Sequence, residues 1–162
     1  VGSASVLLPD GVTVAALMVV NALGDVVDPA SGVIVAGARS PSGGWADSAA
    51  LLLGGRPLEA RAAGNTIIGV VATDALLDKA QANRLATLAH DGLARAVRPA
   101  HTMFDGDTIF ALSAGDKAAD MTRLGHAAAQ VTAQAIVRAV QTAATAYGLP
   151  GLAGATQGGG TV

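Results

Sequence analysis

Apolar residues in the first part of the chain fall into short runs separated by turns. The stretch SASVLLPDGVTVAALMVVN predicts two strands joined at Pro9-Asp10-Gly11, because these residues favour a tight turn. The second strand, at about 12–20, is nearly all apolar, which is typical of a sheet covered on both faces. The next stretch, GDVVDPASGVIVAG at 24–37, predicts another short hairpin.

The pattern changes at about residue 38. Residues 38–65 are rich in Gly, Pro, Ser and Ala and show no sustained hydrophobic period. Connections of this length are uncommon inside compact domains and are usually functional or disordered. We interpret the segment as a surface linker or, alternatively, as a tail whose far end is presented for cleavage.

Strands and helices alternate after this linker. Residues 66–75, TIIGVVATDA, predict a buried strand, and apolar spacings of three and four predict a helix over 78–97 with Asp78 as its N-cap. A further strand over 107–115 and a longer helix over 116–147 follow, before a tail expected to be flexible. The order predicts an α/β fold in which sheets lie between helices.

Composition narrows the class of protein. The 162 residues, 51% of them hydrophobic and 14% charged, suit one globular domain. The net charge is −2 and Lys and Arg are not clustered, which argues against a nucleic-acid partner. The chain has no cysteine, so disulfides, thiolate metal sites and thiol nucleophiles are excluded.

The N-terminus and the apolar runs of the sequence give expectations about the cellular location of the protein. The longest strongly apolar run, at 12–20, is far shorter than the ~20 residues of a membrane helix. No signal peptide is visible, so we expect a cytoplasmic protein without a membrane partner. The chain begins without Met and within a predicted strand, and we therefore interpret it as a fragment of a longer precursor.

The three histidines are His90, His101 and His126. None forms a pair with metal-ligand spacing such as H-x-x-x-H, and we predict no metal site. Each is interpreted as a solvated or core histidine. His101 is the most interesting of them, because it precedes an acidic turn.

That turn is FDGDTIF, in which Asp105 and Asp107 flank a glycine at the start of a strand. Asp and Gly are turn formers, so an ordinary surface turn explains the pattern when it is judged alone. A Mg²⁺-dependent phosphohydrolase motif fits poorly. That motif follows an apolar strand, whereas RPAHTM precedes this turn, and its threonine falls one place later than Thr108.

A second candidate is the junction between Asn65 and Thr66, where the linker meets a strand. A threonine hydroxyl is a weak nucleophile unless a base takes its proton. Cleavage of this peptide bond would give Thr66 an α-amine with a pKa of about 7.7–8.0, which suits a base at neutral pH. The hydroxyl could make the cut itself by attacking the Asn65 carbonyl. Spacing alone equally allows an ordinary junction between loop and strand.

Three segments together are similar to a known family. GNTIIGVVATDA, DKAQANRLATLAHDGLARAV and PAHTMFDGDTIFALSAG resemble the β-peptidyl aminopeptidase and L-aminopeptidase/D-esterase family, which includes the 6-aminohexanoate-oligomer (nylon-oligomer) hydrolases. The resemblance runs from about residue 5 to about 147. It implies an N-terminal-nucleophile hydrolase with an αββα sandwich, made as one precursor that cleaves itself into α and β chains.

The resemblance also implies a division of the chain. Residues 1–65 would be the end of the α chain, 66–162 would be the β chain, and both would form one domain with an N-terminal segment missing from this sequence. That missing segment would carry further active-site residues. The two chains would stay together as a heterodimer and assemble into a homo-oligomer, a tetramer or larger.

Site residues follow from the same resemblance. Thr66 would be the nucleophile and new N-terminus, and Asn65 the last residue of the α chain. Asn21 would supply an oxyanion-hole amide, while Asp105 and Asp107 would hold and orient the amino group of Thr66. Aminopeptidase members typically have a serine nucleophile and Ser-x-Glu at the paired-aspartate positions, so this chain is closer to the nylon-oligomer hydrolases.

The activity implied is that of an autoprocessing amidohydrolase that needs no metal or cofactor. Its expected substrates are short peptides, amino-acid amides or esters, and ω-amino-acid oligomers. Two alternatives remain. An acyltransferase of the ornithine acetyltransferase type has a related fold and also cleaves itself before threonine. An uncleaved relative could instead serve as a non-catalytic binding module.

Overall fold

The computed structural model describes residues 1–56 and 64–153. Within these ranges the predicted strands and the two long helices are present, together with a short helix and a short strand that the sequence does not predict. In chain order they are β1 (Gly2–Leu7), β2 (Thr13–Asn21), β3 (Asp25–Val27), β4 (Ile34–Ala36), α1 (Ser48–Leu53), β5 (Thr66–Ala75), α2 (Lys79–Ala96), β6 (Val97–Arg98), β7 (Thr108–Lys117) and α3 (Met121–Gln141).

The main sheet has four strands in the order β1-β2-β5-β7. Strand β2 lies antiparallel to both β1 and β5, and β5 lies parallel to β7. The parallel pair needs a long crossover connection, which α2 provides. The first residue of β5, Thr66, lies opposite the last residue of β2, Asn21.

Helices α2 and α3 pack against each other and cover one face of the main sheet. Asp78 caps α2 as predicted, and its capping box with Gln81 satisfies backbone groups at the helix start. A Cβ at Gly92 would collide with the backbone of Ala129, so glycine lets the two helices approach closely. Large buried side chains of this core include Val14, Met18, Ile67, Val71, Leu85, Leu93, Leu124, Val131 and Ile136.

The opposite face of the main sheet carries apolar side chains that the described residues leave exposed. Along β2, Met18 is fully buried whereas its neighbours Leu17 and Val19 are about half exposed. Ile68 on β5 and Phe110 on β7, which is 61% exposed, extend this outer face. The prediction that β2 is covered on both faces therefore does not hold within the described chain, because both helices pack on the same side.

A small second sheet has the strand order β4-β3-β6, and its β3–β4 pair is the hairpin predicted at 24–37. Asp25 on β3 is almost fully buried, at 1% exposure. Its carboxylate accepts hydrogen bonds from the backbone N–H of Ala38 and from both the N–H and the hydroxyl of Ser48. These bonds fasten the start of the linker to the body of the protein.

The linker is more ordered at its start than the sequence predicts. Arg39 and Trp45 form an isolated antiparallel bridge, and helix α1, capped by Asp47, follows. This short helix has no long amphipathic pattern, so periodicity could not reveal it. The part of the linker at 57–63 lies outside the described residues.

The last helix is shorter than predicted. Residues up to Lys117 belong to β7, since β7 pairs with β5 as far as Ala75. Asp120 then caps α3, which ends at Gln141 and not at 147. Residues 154–162 of the predicted tail lie outside the described residues. No helix in the described ranges is both long enough and apolar enough to cross a membrane.

Candidate active site

Thr66 and Asn21 meet at one end of the main sheet, on neighbouring strands. Side chains alternate between the two faces of a strand, so Thr66 shares the outer face with Ile68, and Asn21 shares it with Val19. Thr66 is partly buried and Asn21 is exposed. The Asn21 amide donates a long hydrogen bond, 3.5 Å, to the carbonyl of Gly64. The two predicted site residues are therefore brought together by strand pairing.

The peptide group between Asn65 and Thr66 is held by several contacts. The Thr66 hydroxyl donates to the carbonyl oxygen of Asn65 at 2.7 Å, and the backbone N–H of Gly106 donates to the same oxygen at 3.0 Å. The Asn65 side chain donates to the carbonyl of Ala22 at 3.2 Å. Two donors thus converge on the carbonyl oxygen of the bond predicted to be cut.

Gly106 has no side chain, and the Thr66 hydroxyl lies where a side chain at this position would come too close. A Cβ at this position would lie 2.9 Å from Thr66 Oγ1, closer than such contacts normally come. Any side chain here would have to displace the hydroxyl. The glycine of the DGD turn, which the sequence shows only as a turn former, is therefore part of the site.

Asp107 lies behind the start of β5 and is only 4% exposed. Its Oδ1 accepts a hydrogen bond of 2.8 Å from the backbone N–H of Ile67. Burial raises the pKa of the Asp107 carboxyl and the nearby charge of Asp105 adds to this, while the Ile67 hydrogen bond and the two histidines His101 and His90 oppose it. This carboxyl gives up its proton less readily than an exposed aspartate.

Asp105 is fixed by its own turn. Its Oδ2 accepts hydrogen bonds of 2.8 Å from both the N–H and the hydroxyl of Thr102. Its backbone forms an isolated parallel bridge with Asn65, in the same register as the β5–β7 pairing and three positions before its first pair. Asp105 is thus held beside the predicted cleavage point, with Asp107 two residues further on.

Two histidines join this cluster. His101 Nδ1 lies 3.7 Å from Asp107 Oδ2, and the ring of His90, on α2, lies 5.2 Å from the ring of His101. Burial, with a smaller contribution from the charge of His101, lowers the pKa of His90. The position of His101 just before the acidic turn hints at this contact, but His90 comes from another element and gives no signal in the sequence.

The third histidine lies elsewhere. His126 is exposed on α3 and lines a cavity of about 520 Å³ together with Asp28, Arg95 and Arg138. None of the described residues around this cavity is Asn21, Thr66, Asp105 or Asp107. Across the described ranges, no group of three or more His, Cys, Asp or Glu side chains is arranged to hold a metal ion. The chemistry suggested by the geometry is that of a hydroxyl beside a carbonyl.

Comparison with known sequences identifies the family of this chain. The sequence profile of peptidase family S58 matches residues 1–153. A Mycobacterium tuberculosis protein named as an uncharacterized aminopeptidase is 43% identical over 173 residues, covering 93% of this chain and 50% of the relative. A 6-aminohexanoate-oligomer endohydrolase of a Kocuria species is 30% identical over 92 residues, covering 49% of this chain and 26% of that protein. The chain therefore spans about half the length of its mycobacterial relative.

Solved structures agree on the fold. The L-aminopeptidase D-Ala-esterase/amidase of Ochrobactrum anthropi, described as a variant of the Ntn hydrolase fold, matches with a TM-score of 0.59 at 22% identity, covering 88% of this chain and 40% of that one. A Burkholderia β-aminopeptidase matches with a TM-score of 0.54 at 27% identity, covering 86% and 40%. The predicted fold and family resemblance are confirmed, and the chain belongs to peptidase family S58.

Proposed function

We propose that this chain forms the reacting part of an autoprocessing amidohydrolase that uses Thr66 as an N-terminal nucleophile. The observation that carries the proposal is the hydrogen bond of 2.7 Å between the Thr66 hydroxyl and the carbonyl oxygen of Asn65. It puts the attacking group beside the carbonyl of the bond to be cut. The aminopeptidase and oligomer-hydrolase names of the relatives support the same class of reaction.

The first reaction is the cut itself. Thr66 Oγ1 attacks the carbonyl carbon of Asn65, and the hydroxyl proton passes to the departing nitrogen of Thr66. The C–N bond breaks and leaves an ester between the Asn65 acyl group and Thr66 Oγ1. Water then hydrolyses this ester, giving an Asn65 carboxylate, a free Thr66 hydroxyl and a free α-amine. The N–H of Gly106 stabilises the oxyanion during the attack.

Turnover repeats this chemistry on a substrate amide. The Thr66 α-amine takes the hydroxyl proton as Oγ1 attacks the substrate carbonyl, and that proton then leaves with the released amine. The resulting acyl-threonine ester is hydrolysed by a water that the same α-amine activates. All of these proton transfers use groups of the protein and water, so the mechanism needs no metal or cofactor.

Three side chains support these steps. Asn21, directly across the ladder from Thr66, donates its amide to the developing oxyanion. Asp107 and Asp105 flank the start of β5 and stabilise the ammonium form of the Thr66 amine between proton transfers. Each role uses a side chain that already lies next to Thr66 or its peptide neighbours.

The two products of the cut remain associated. Strand β2 precedes the cut and β5 follows it, yet the two pair over eight residue positions in the middle of one sheet. An α/β heterodimer therefore results without any new interface. Because the matched relative is about twice the length of the aligned region, we propose that a second layer from the remainder of the protein covers the apolar outer face and completes the sandwich. Further assembly into a tetramer or larger homo-oligomer belongs to the same proposal.

The substrates proposed are short peptides, amino-acid amides or esters, and ω-amino-acid oligomers. A panel of amino-acid p-nitroanilides, β-peptides and aminohexanoate dimer and trimer tests this with the full-length protein. Hydrolysis should be lost in Thr66→Ala and partly retained in Thr66→Ser. Adding hydroxylamine or ornithine as acceptor distinguishes a hydrolase from an acyltransferase. Transfer of the acyl group to the acceptor in excess of hydrolysis would indicate an acyltransferase. Full activity in Thr66→Ala would overturn the proposal.

A further inference from the structure

His101 lies between Asp107 and His90 in the cluster behind Thr66. Its Nδ1 is 3.7 Å from Asp107 Oδ2, and its ring centroid is 5.2 Å from that of His90 with a tilt of 52° between the planes. At 3.7 Å the contact with the carboxylate is a charge interaction, since a hydrogen bond would be shorter. The geometry places an imidazole ring next to a nearly buried carboxyl group.

The backbone holds His101 in this place at a cost. Its φ of +54° lies in the left-handed region, which few residues other than glycine adopt. A conformation of this kind is strained and persists only where surrounding contacts enforce it. The left-handed turn directs the chain from the cis Arg98–Pro99 segment into the acidic turn.

Asp107 is surrounded by a defined set of groups. Its carboxylate accepts a hydrogen bond from the backbone N–H of Ile67 on β5. It also interacts electrostatically with Asp105 and His101 in its own turn and with His90 on α2. Because burial lowers the pKa of His90, its ring is mainly neutral near pH 7. His101, whose side chain is 43% exposed and lies 3.7 Å from Asp107, is the histidine placed to supply a positive charge beside that carboxylate.

We propose that His101 is a positioning residue of this site, whose protonated ring keeps Asp107 ionised and oriented toward the amino group of Thr66. The proposal rests on the proposed function, because it concerns the carboxylate that holds the amine of the cleaved enzyme. His90 supports the ring of His101 from the helix side. His101 acts through Asp107 and does not itself touch the substrate.

The consequence is a pH dependence with a definite sign. Loss of the positive charge at His101 raises the pKa of Asp107 further, so that Asp107 becomes protonated at a higher pH. The α-amine of Thr66 must be unprotonated to act as the base, so its ionisation appears on the acid side of the kcat/KM profile. Protonation of Asp107 adds a second ionisation on that side, and this Asp107 limb is the one that moves to higher pH. An imidazole carries no charge at alkaline pH, so the wild type and a variant without this ring should have similar kcat/KM there.

The test compares His101→Asn with His126→Asn in the full-length protein. Asparagine tolerates φ near +54° and keeps a donor but carries no charge, while His126 is an exposed histidine on α3 that lies apart from the site. In His101→Asn the Asp107 limb should move up by about 0.5–1 pH unit. At pH values well below this limb, kcat/KM should therefore be lower than in the wild type by roughly 3–10-fold. In His126→Asn the limb should not move.

A second variant guards against a folding defect. His101→Gly suits the positive φ without any side chain and should shift the limb in the same direction. An unshifted limb in the folded variants, or a uniform loss of activity at every pH, would overturn the role of His101. A failure of the proposed function would be detected by a different experiment. In that case Thr66→Ala would stay active, independently of the pH profile of the His101 variants.

Discussion

Asn21 and Thr66 are directly paired residues at the last step of the ladder between β2 and β5. They are 45 positions apart in the sequence, yet their relative position is fixed by a continuous run of strand pairs and not by a loop. The amide and the hydroxyl therefore sit on rigid elements at one edge of the outer face. Rigid placement matters, because an oxyanion donor is effective only when it is already in position.

Replacing Asn21 by alanine should lower kcat by about 100–1,000-fold, which is the usual effect of losing one oxyanion donor. The side chain is exposed and makes one long hydrogen bond, so the thermal midpoint of unfolding should change little. Steady-state kinetics and a melting curve on the same preparation check both parts. A kcat close to that of the wild type would remove Asn21 from the mechanism.

Gly106→Ala should slow both self-cleavage and turnover. The added Cβ would lie 2.9 Å from Thr66 Oγ1 and push the hydroxyl away from the Asn65 carbonyl. Gly54→Ala serves as a matched control, since Gly54 is exposed at the end of α1 with an ordinary φ of −76°. Gel analysis over time should show uncut precursor accumulating in Gly106→Ala alone. Normal processing in this variant would contradict the assigned contact.

Asp107→Asn should abolish most turnover without destabilising the uncut fold. Asparagine keeps an oxygen that can accept the Ile67 N–H, while the cost of burying a charge disappears. Turnover is measured with Asp107→Asn in the otherwise wild-type protein, whereas stability is compared in the Thr66→Ala background, where the chain stays continuous. Melting curves between about pH 3 and pH 8 then report the stability of the uncut protein.

The sign of this effect follows from the raised pKa of Asp107. A carboxyl whose pKa is higher in the folded state favours folding when it is protonated, and that contribution is lost as pH rises from the ordinary value of 3.8 through the folded value. Asp107→Asn should therefore match the parent at low pH and become relatively more stable as pH rises through this window. A variant that is less stable than its parent at pH 7 would show that the ionised carboxylate stabilises the fold.

Much of the fold could be predicted from local patterns. The hairpins, the strand starting at Thr66 and the Asp78 cap follow from turn chemistry, apolar runs and helical period, and all are confirmed. The predicted end of the last helix is wrong. The alanine-rich stretch after Gln141 has good helix propensity, but it is exposed and folds back on itself through the bridge between Ala146 and Leu149.

The site could be predicted only in part. Thr66, Asn21 and the two aspartates were assigned by resemblance, and their proximity depends on strand pairing that no local pattern reports. The contacts of His101 with Asp107 and His90 were missed, since one crosses an irregular turn and the other joins that turn to a helix. Gly106 was missed because a glycine between aspartates has an ordinary explanation as a turn.

The intact masses of the full-length wild type and of Thr66→Ala decide whether the chain cuts itself before Thr66. We expect two chains for the wild type, the second beginning with Thr66-Ile67-Ile68-Gly69, and a single uncut polypeptide for Thr66→Ala. Fully active enzyme in which the bond between Asn65 and Thr66 is intact would show that Thr66 does not act as an N-terminal nucleophile.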